Sequence, residues 1–195
     1  MNRRIEGTLL PHPAMQLVHI PTFRLNSVLF GLLVTLSVVL WTLMPERYPV
    51  RFDLSGNPTA WEDRGIGMWI LINALFIISF GKAHLFQRYL MSDPASELLN
   101  VPYKKHFRKL PTERKVRVLI RANRFLGLMN TGVLLIFICV LFMIFLGATR
   151  PDSLATVVTR HALNVTIVAV LVAPIFEVVA IRRMVRRKLE EEGIL

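Results

Sequence analysis

Cysteine occurs once in this chain of 195 residues, at Cys139. No disulfide can close within one chain, and no thiolate metal site can be built from a single sulfur. The five histidines (His12, His19, His84, His106 and His161) stand apart, without the His-Glu-x-x-His spacing of a helical zinc site. No glycine-rich phosphate loop and no Gly-x-Ser-x-Gly elbow occurs. Acidic residues are scarce, 13 against 24 Lys and Arg, and Glu190-Glu191-Glu192 reads as a solvated charge run near the end of the chain. These absences leave no nucleophile, acid/base pair or ligand cluster to build on. The chain reads as a non-enzyme with no metal and no cofactor. The formal net charge of +11 invites a nucleic-acid reading, but neither base-stacking aromatics nor a recognition fold accompanies the charge, so no nucleic-acid partner is expected.

What the sequence has in abundance is long apolar runs. Four of them, Leu25–Met44, Ile66–Phe86, Phe125–Ala148 and Leu154–Ile181, each reach the ~20 residues a helix needs to cross ~30 Å of hydrocarbon. The expected fold is an all-α integral membrane protein. Residues 1–24 form a tail, and 25–181 form one four-helix membrane domain with connecting segments at 45–65, 87–124 and 149–153. Residues 182–195 form a basic tail. The first 24 residues do not read as a cleaved signal. Pro11, Pro13 and Pro21 interrupt them, and no small-x-small site follows the first run. The first span is expected to remain as an anchor.

Charge orients these spans. Of the 24 Lys and Arg residues, nineteen fall in the N-terminal tail, the segment between spans two and three, and the C-terminal tail, counting Lys82 near the inner end of span two with that segment. Only Arg47, Arg51, Arg64 and Arg150 fall in the alternate segments, with Arg160 near the outer end of span four counted beside them. Basic segments stay on the cytoplasmic side, so both termini are expected inside, with 45–65 and 149–153 outside.

The first outer segment is richer than a connector needs to be. Val50, Phe52 and Leu54 alternate with Arg51, Asp53 and Ser55, the period of a short strand. Ser55-Gly56-Asn57-Pro58 is a turn signal, and Trp61 follows it. A compact extended-turn-coil cap is expected over the helix ends, with Phe52, Gly56, Pro58 and Trp61 as candidate ligand- or partner-binding residues. An ordinary hairpin with Trp61 as an interfacial anchor is the plainer reading. Arg160 and His161 are expected to meet Asp53, Glu62 or Asp63 and so tie the cap to span four.

On the inner side, Arg114, Arg117, Arg121 and Arg124 recur at three- and four-residue steps after Pro111, opposite Val116, Leu119 and Ile120. This is a basic amphipathic helix running into span three, and anionic lipid headgroups are its expected partner. Gly127, Asn130, Thr131 and Gly132 in span three are suited to close helix packing. Span four carries Pro174, which should kink it, and Glu177. An acid within a span is a functional candidate by default. Its structural alternative is a pair with Lys82 or His84 of span two.

The outer segment also carries a family resemblance. Tyr48-Pro49-Val50-Arg51-Phe52, then Gly56-Asn57-Pro58, then Trp61, resembles the outer-loop motif of a bacterial membrane domain of unknown function shared with the SdpI immunity-protein family. Leu98–Lys104 and Pro111–Lys115 resemble the inner loop of some members, and the likeness covers about residues 25–145. Arg51 stands where the family usually has histidine, and Thr59 where it has aspartate. The resemblance implies a multi-pass protein of the bacterial cell membrane. SdpI-like members protect cells from a secreted toxic peptide, and some relay its presence to a regulator inside. The leading expectation is an accessory, immunity or signalling protein whose outer segment meets a secreted peptide or a protein partner. A small transport or permeation component using the polar fourth span is the competing expectation. Oligomers are compatible with either.

The charge distribution makes one prediction of its own. Alkaline phosphatase fused after Asn57 is expected to be active, and the same enzyme fused after Glu192 inactive. The reverse pattern would refute the orientation.

Overall fold

A computed structural model describes residues 21–53, 55–87 and 101–194. The expectations placed on Leu54, on the N-terminal tail before Pro21 and on Leu98–Asn100 lie outside the described residues. The chain runs α1 (Pro21–Thr42), β1 (Arg47–Phe52), β2 (Pro58–Asp63), α2 (Ile66–Leu85), a single turn α3 (Lys104–Phe107), α4 (Thr112–Thr149) and α5 (Leu154–Glu191). Helices α1, α2, α4 and α5 are long and apolar enough to cross a membrane, the architecture of a multi-pass membrane protein. The cap between α1 and α2 is a two-stranded antiparallel hairpin, so the fold is not purely helical.

Helix α4 is the centre of the structure. It packs against α1, α2, α5 and strand β1. Its buried positions Asn123, Gly127, Asn130, Leu134, Leu141 and Ile144 recur at three-, four- and seven-residue steps, one face of the helix. Helix α1 answers with Asn26, Leu33, Ser37 and Leu40 on one face, and Met44 just past its end is buried as well. Helix α2 contributes Trp69 and Phe76. Aromatic rings fill the space between them. Phe30 stacks on Phe80 at 4.2 Å, and Phe76 meets Phe137 edge-on at 5.8 Å.

Three polar links join these helices. The Asn26 amide donates to the Gly127 carbonyl at 2.9 Å and accepts from the Thr131 hydroxyl at 2.6 Å. Ser37 donates to Asn73 at 2.5 Å. Gln87 donates to the Asn123 carbonyl and side-chain oxygens at 3.1 and 3.0 Å. Gly127 is a point of close approach. A Cβ there would fall on the Thr22 hydroxyl and lie 3.2 Å from Gln87 Nε2. Gly132 does the same for α5, where Val170 occupies the space. These two glycines perform the packing role expected of them. Asn130, expected to bond across helices, is buried, and its Nδ2 has no hydrogen-bond partner.

Helices α4 and α5 each have 38 residues, about 57 Å at 1.5 Å per residue. That is nearly twice the ~30 Å of a hydrocarbon core. Both continue past the bundle as an antiparallel pair. Residues 182–191, read from sequence as part of a tail, are the last turns of α5. The pair encloses a second apolar core of Phe107, Leu110, Val118, Val185 and Leu189. Arg114 forms ion pairs with Glu191 and Glu192, the latter at 2.7 Å. The glutamates thus clasp α4 to α5 and are not simply a solvated run. Lys188 and then Arg114 hold the Glu191 carboxyl below its ordinary value.

The convergence at Gly127 sets the expected response to mutation. Gly127→Leu should destabilise the bundle by about 1–3 kcal/mol through overpacking, and Asn26→Leu by about 1 kcal/mol. Cys139, the sole thiol and partly buried, reports unfolding when a thiol-reactive dye is present during heating. An unchanged midpoint for Gly127→Leu would remove the close-approach argument.

Candidate functional site

The hairpin is built and seated by specific contacts. Pro45 cannot continue α1, and the chain turns into β1. Strand β1 pairs with β2 in the register Arg47 with Asp63, Tyr48 with Glu62, Pro49 with Trp61 and Phe52 with Pro58, with irregularities around Arg51. The turn is closed by Asp53, whose carboxylate accepts from the Asn57 backbone N–H at 2.8 Å and from its side-chain amide at 3.2 Å. These bonds, the backbone one foremost, hold the Asp53 carboxyl below its ordinary value of 3.8, and the Arg160 charge adds to the effect. Gly56 takes φ +77° at the tip, the left-handed region that glycine enters without penalty.

Two contacts fix the hairpin to the helices. Arg64, just after β2, donates to the Met44 carbonyl at 3.0 Å and the Trp41 carbonyl at 2.7 Å. It thereby caps the C-terminal end of α1, where cations are favoured, and lies over the Trp41 ring at 4.7 Å. On the other side, Tyr48 and Pro49 are fully buried. A Cβ at Gly147 of α4 would lie 3.2 Å from Pro49 and 3.3 Å from Phe52, so β1 rests directly on that helix. Sequence reasoning missed Arg64 and Tyr48. Tyr48 entered only as part of the outer-loop motif, and nothing in the local sequence links Arg64 to α1.

Under the hairpin tip lies a cavity of about 130 Å³, lined by Phe52, Asp53 and Gly56 from the hairpin, Val140 and Met143 from α4, and Arg160, Leu163 and Asn164 from α5. Two of the four outer candidates, Phe52 and Gly56, line it. Pro58 stands across from Phe52 in the ladder, and Trp61 lies on the outer strand, 40 % exposed. The expected tie to span four is present in altered form. Arg160 donates to the Asn57 side-chain oxygen at 3.3 Å, with Asp53 close enough for its charge to be felt. His161 is exposed, and Asp63 pairs with Arg47 at 3.5 Å instead. The Arg160 Nε is buried with no hydrogen-bond partner.

At the opposite end, Glu177 is bound by Arg121 of α4 at 2.5 and 3.1 Å. This corrects the pairing with Lys82 or His84. Lys82 is exposed, and His84 lies among Phe23 and Phe80 at 4.0 and 5.2 Å. The sequence placed Arg121 on a lipid-facing stripe, but its three- and four-residue spacing could not say which arginines faced α5. Arg114 and Arg121 engage acids there, while Arg117 and Arg124 are exposed. Among the described residues no group of three or more His, Cys, Asp or Glu side chains could hold a metal ion.

Gly56→Ala tests the tip. The new Cβ would lie 2.7 Å from Arg160 Nε and 2.9 Å from its Cδ, and the backbone would sit in a strained region costing about 1–2 kcal/mol. Faster proteolytic nicking at the hairpin is expected, with the Cys139 dye midpoint nearly unchanged. Wild-type nicking rates would contradict the geometry.

A family model described as a domain of unknown function, DUF1648, matches residues 28–76. The match runs from α1 through the hairpin to the middle of α2 and so includes Phe52, Gly56, Pro58 and Trp61, but not Arg160. No curated protein and no solved structure matches the chain.

Proposed function

We propose that this chain is a non-enzymatic receptor or immunity protein of the bacterial cytoplasmic membrane, whose hairpin meets a secreted peptide on the outer face. Both termini lie inside. The cluster of Lys and Arg along 104–124 and 182–188 supports that orientation through the positive-inside rule. The exposed Arg117 and Arg124 meet anionic headgroups on the inner leaflet. The likeness of Tyr48–Trp61 to the SdpI outer-loop motif supports the immunity reading. The observation that carries it is the seated hairpin itself. A connector between two spans does not need Arg64 capping α1, β1 resting on Gly147, or a cavity walled by three elements. The transport alternative draws no support from Glu177, whose carboxylate is engaged by Arg121.

The test is survival of a sensitive bacterial strain expressing the protein under a panel of secreted membrane-active peptides. Protection is expected from wild type and from Glu177→Gln, and loss of protection from Trp61→Ala and Phe52→Ala at equal membrane levels. Absence of protection against every peptide would sink the immunity reading.

A further inference from the structure

We propose that the cavity under the hairpin tip takes the C-terminal end of an extended peptide, its free carboxylate on the Arg160 guanidinium and its last, apolar side chain in the cavity. The inference rests on the peptide-binding reading above and specifies its ligand.

The guanidinium is the starting point. It carries five N–H donors in a fixed fork, matched to a carboxylate. Here it makes one long bond, 3.3 Å to the neutral Asn57 side chain, and its Nε is buried without an acceptor. Asp53 lies nearby, its two oxygens accepting from Asn57 within its own turn and its charge rather than a hydrogen bond reaching Arg160. The turn therefore places an acid beside Arg160 without using up the guanidinium's donors. Gly56 lies against the Arg160 side chain, so a ligand that takes the Nε–H displaces the hairpin tip.

The rest of the cavity defines the remainder of the ligand. Val140, Met143, Leu163 and Phe52 provide apolar wall, and Asn164 stands one helical turn from Arg160 on the same face of α5. An apolar group beside a carboxylate, with an amide for Asn164, is the end of a peptide. A long-chain fatty acid offers no amide, and a volume of about 130 Å³ has room for one side chain rather than an acyl chain.

The experiment uses the full chain in phosphatidylcholine nanodiscs and three probes at millimolar concentration, N-acetyl-leucine, N-acetyl-leucinamide and decanoate, titrated calorimetrically. N-acetyl-leucine is expected to bind, with the amide weaker by about tenfold or more through loss of a charge-assisted contact. Arg160→Gln should abolish the difference between the two, and Asp53→Asn should tighten N-acetyl-leucine binding. Arg160→Lys, which keeps the charge but loses the fork, should retain a reduced preference, and it serves as the variant if Arg160→Gln fails to fold by the Cys139 dye. Equal binding of acid and amide, no binding of either, a preference that survives Arg160→Gln, or decanoate binding more tightly than N-acetyl-leucine would each overturn the proposal. Protection that depends on Trp61 without any carboxylate preference removes this inference and leaves the functional reading standing. Carboxylate preference without protection retains the cavity as a carboxylate site and removes the immunity role.

Discussion

Three helices converge on one residue that has no side chain. At Gly127, α4 offers a bare stretch of backbone, and α1 and the end of the α2 segment close on it: Thr22, and Gln87 just past α2, approach where a Cβ would stand, and Asn26 donates to the carbonyl. Apolar burial gives little incentive for helices to associate in hydrocarbon, since lipid tails are as apolar as leucine. Close van der Waals approach and interhelical hydrogen bonds must supply the specificity. Gly127 allows both at once, and the seam from Asn123 to Ile144 extends from that contact.

The same constraint explains the distribution of the other polar groups. Ser37 with Asn73, Gln87 with Asn123 and Arg121 with Glu177 each join a different pair of helices. A polar group left unpaired in lipid is costly, so each link penalises the sliding or rotation of one helix against the next. Such bonds contribute modestly to stability, about 0.6 kcal/mol on average. Their larger effect is on register.

Helix α5 has a different role. It packs mainly on α4 and α3 and keeps most of its apolar surface exposed. Yet it carries Arg160 under the hairpin, Glu177 in the pair with Arg121, and Glu191 in the clasp with Arg114. One continuous helix thereby connects the cavity at the hairpin end to the second apolar core at the basic end.

Spans, their order and the charge asymmetry are local properties, set by hydropathy over about 20 residues, and they were legible in the chain. So were the turn at Ser55–Pro58 and the packing use of Gly127 and Gly132. The partners were not. A three- or four-residue spacing defines a helical face without naming what it faces, so Arg114 and Arg121 could not be told from Arg117 and Arg124. Glu177 met an arginine 56 residues away on α4 rather than Lys82 or His84. The cavity draws residues from β1, the turn, α4 and α5, separated by up to about a hundred positions along the chain. Hydropathy and charge thus determined by themselves which segments form the spans. Only tertiary packing decided which polar groups meet, because hydrogen bonds and ion pairs act over a few ångströms in space and leave no mark on spacing along the chain.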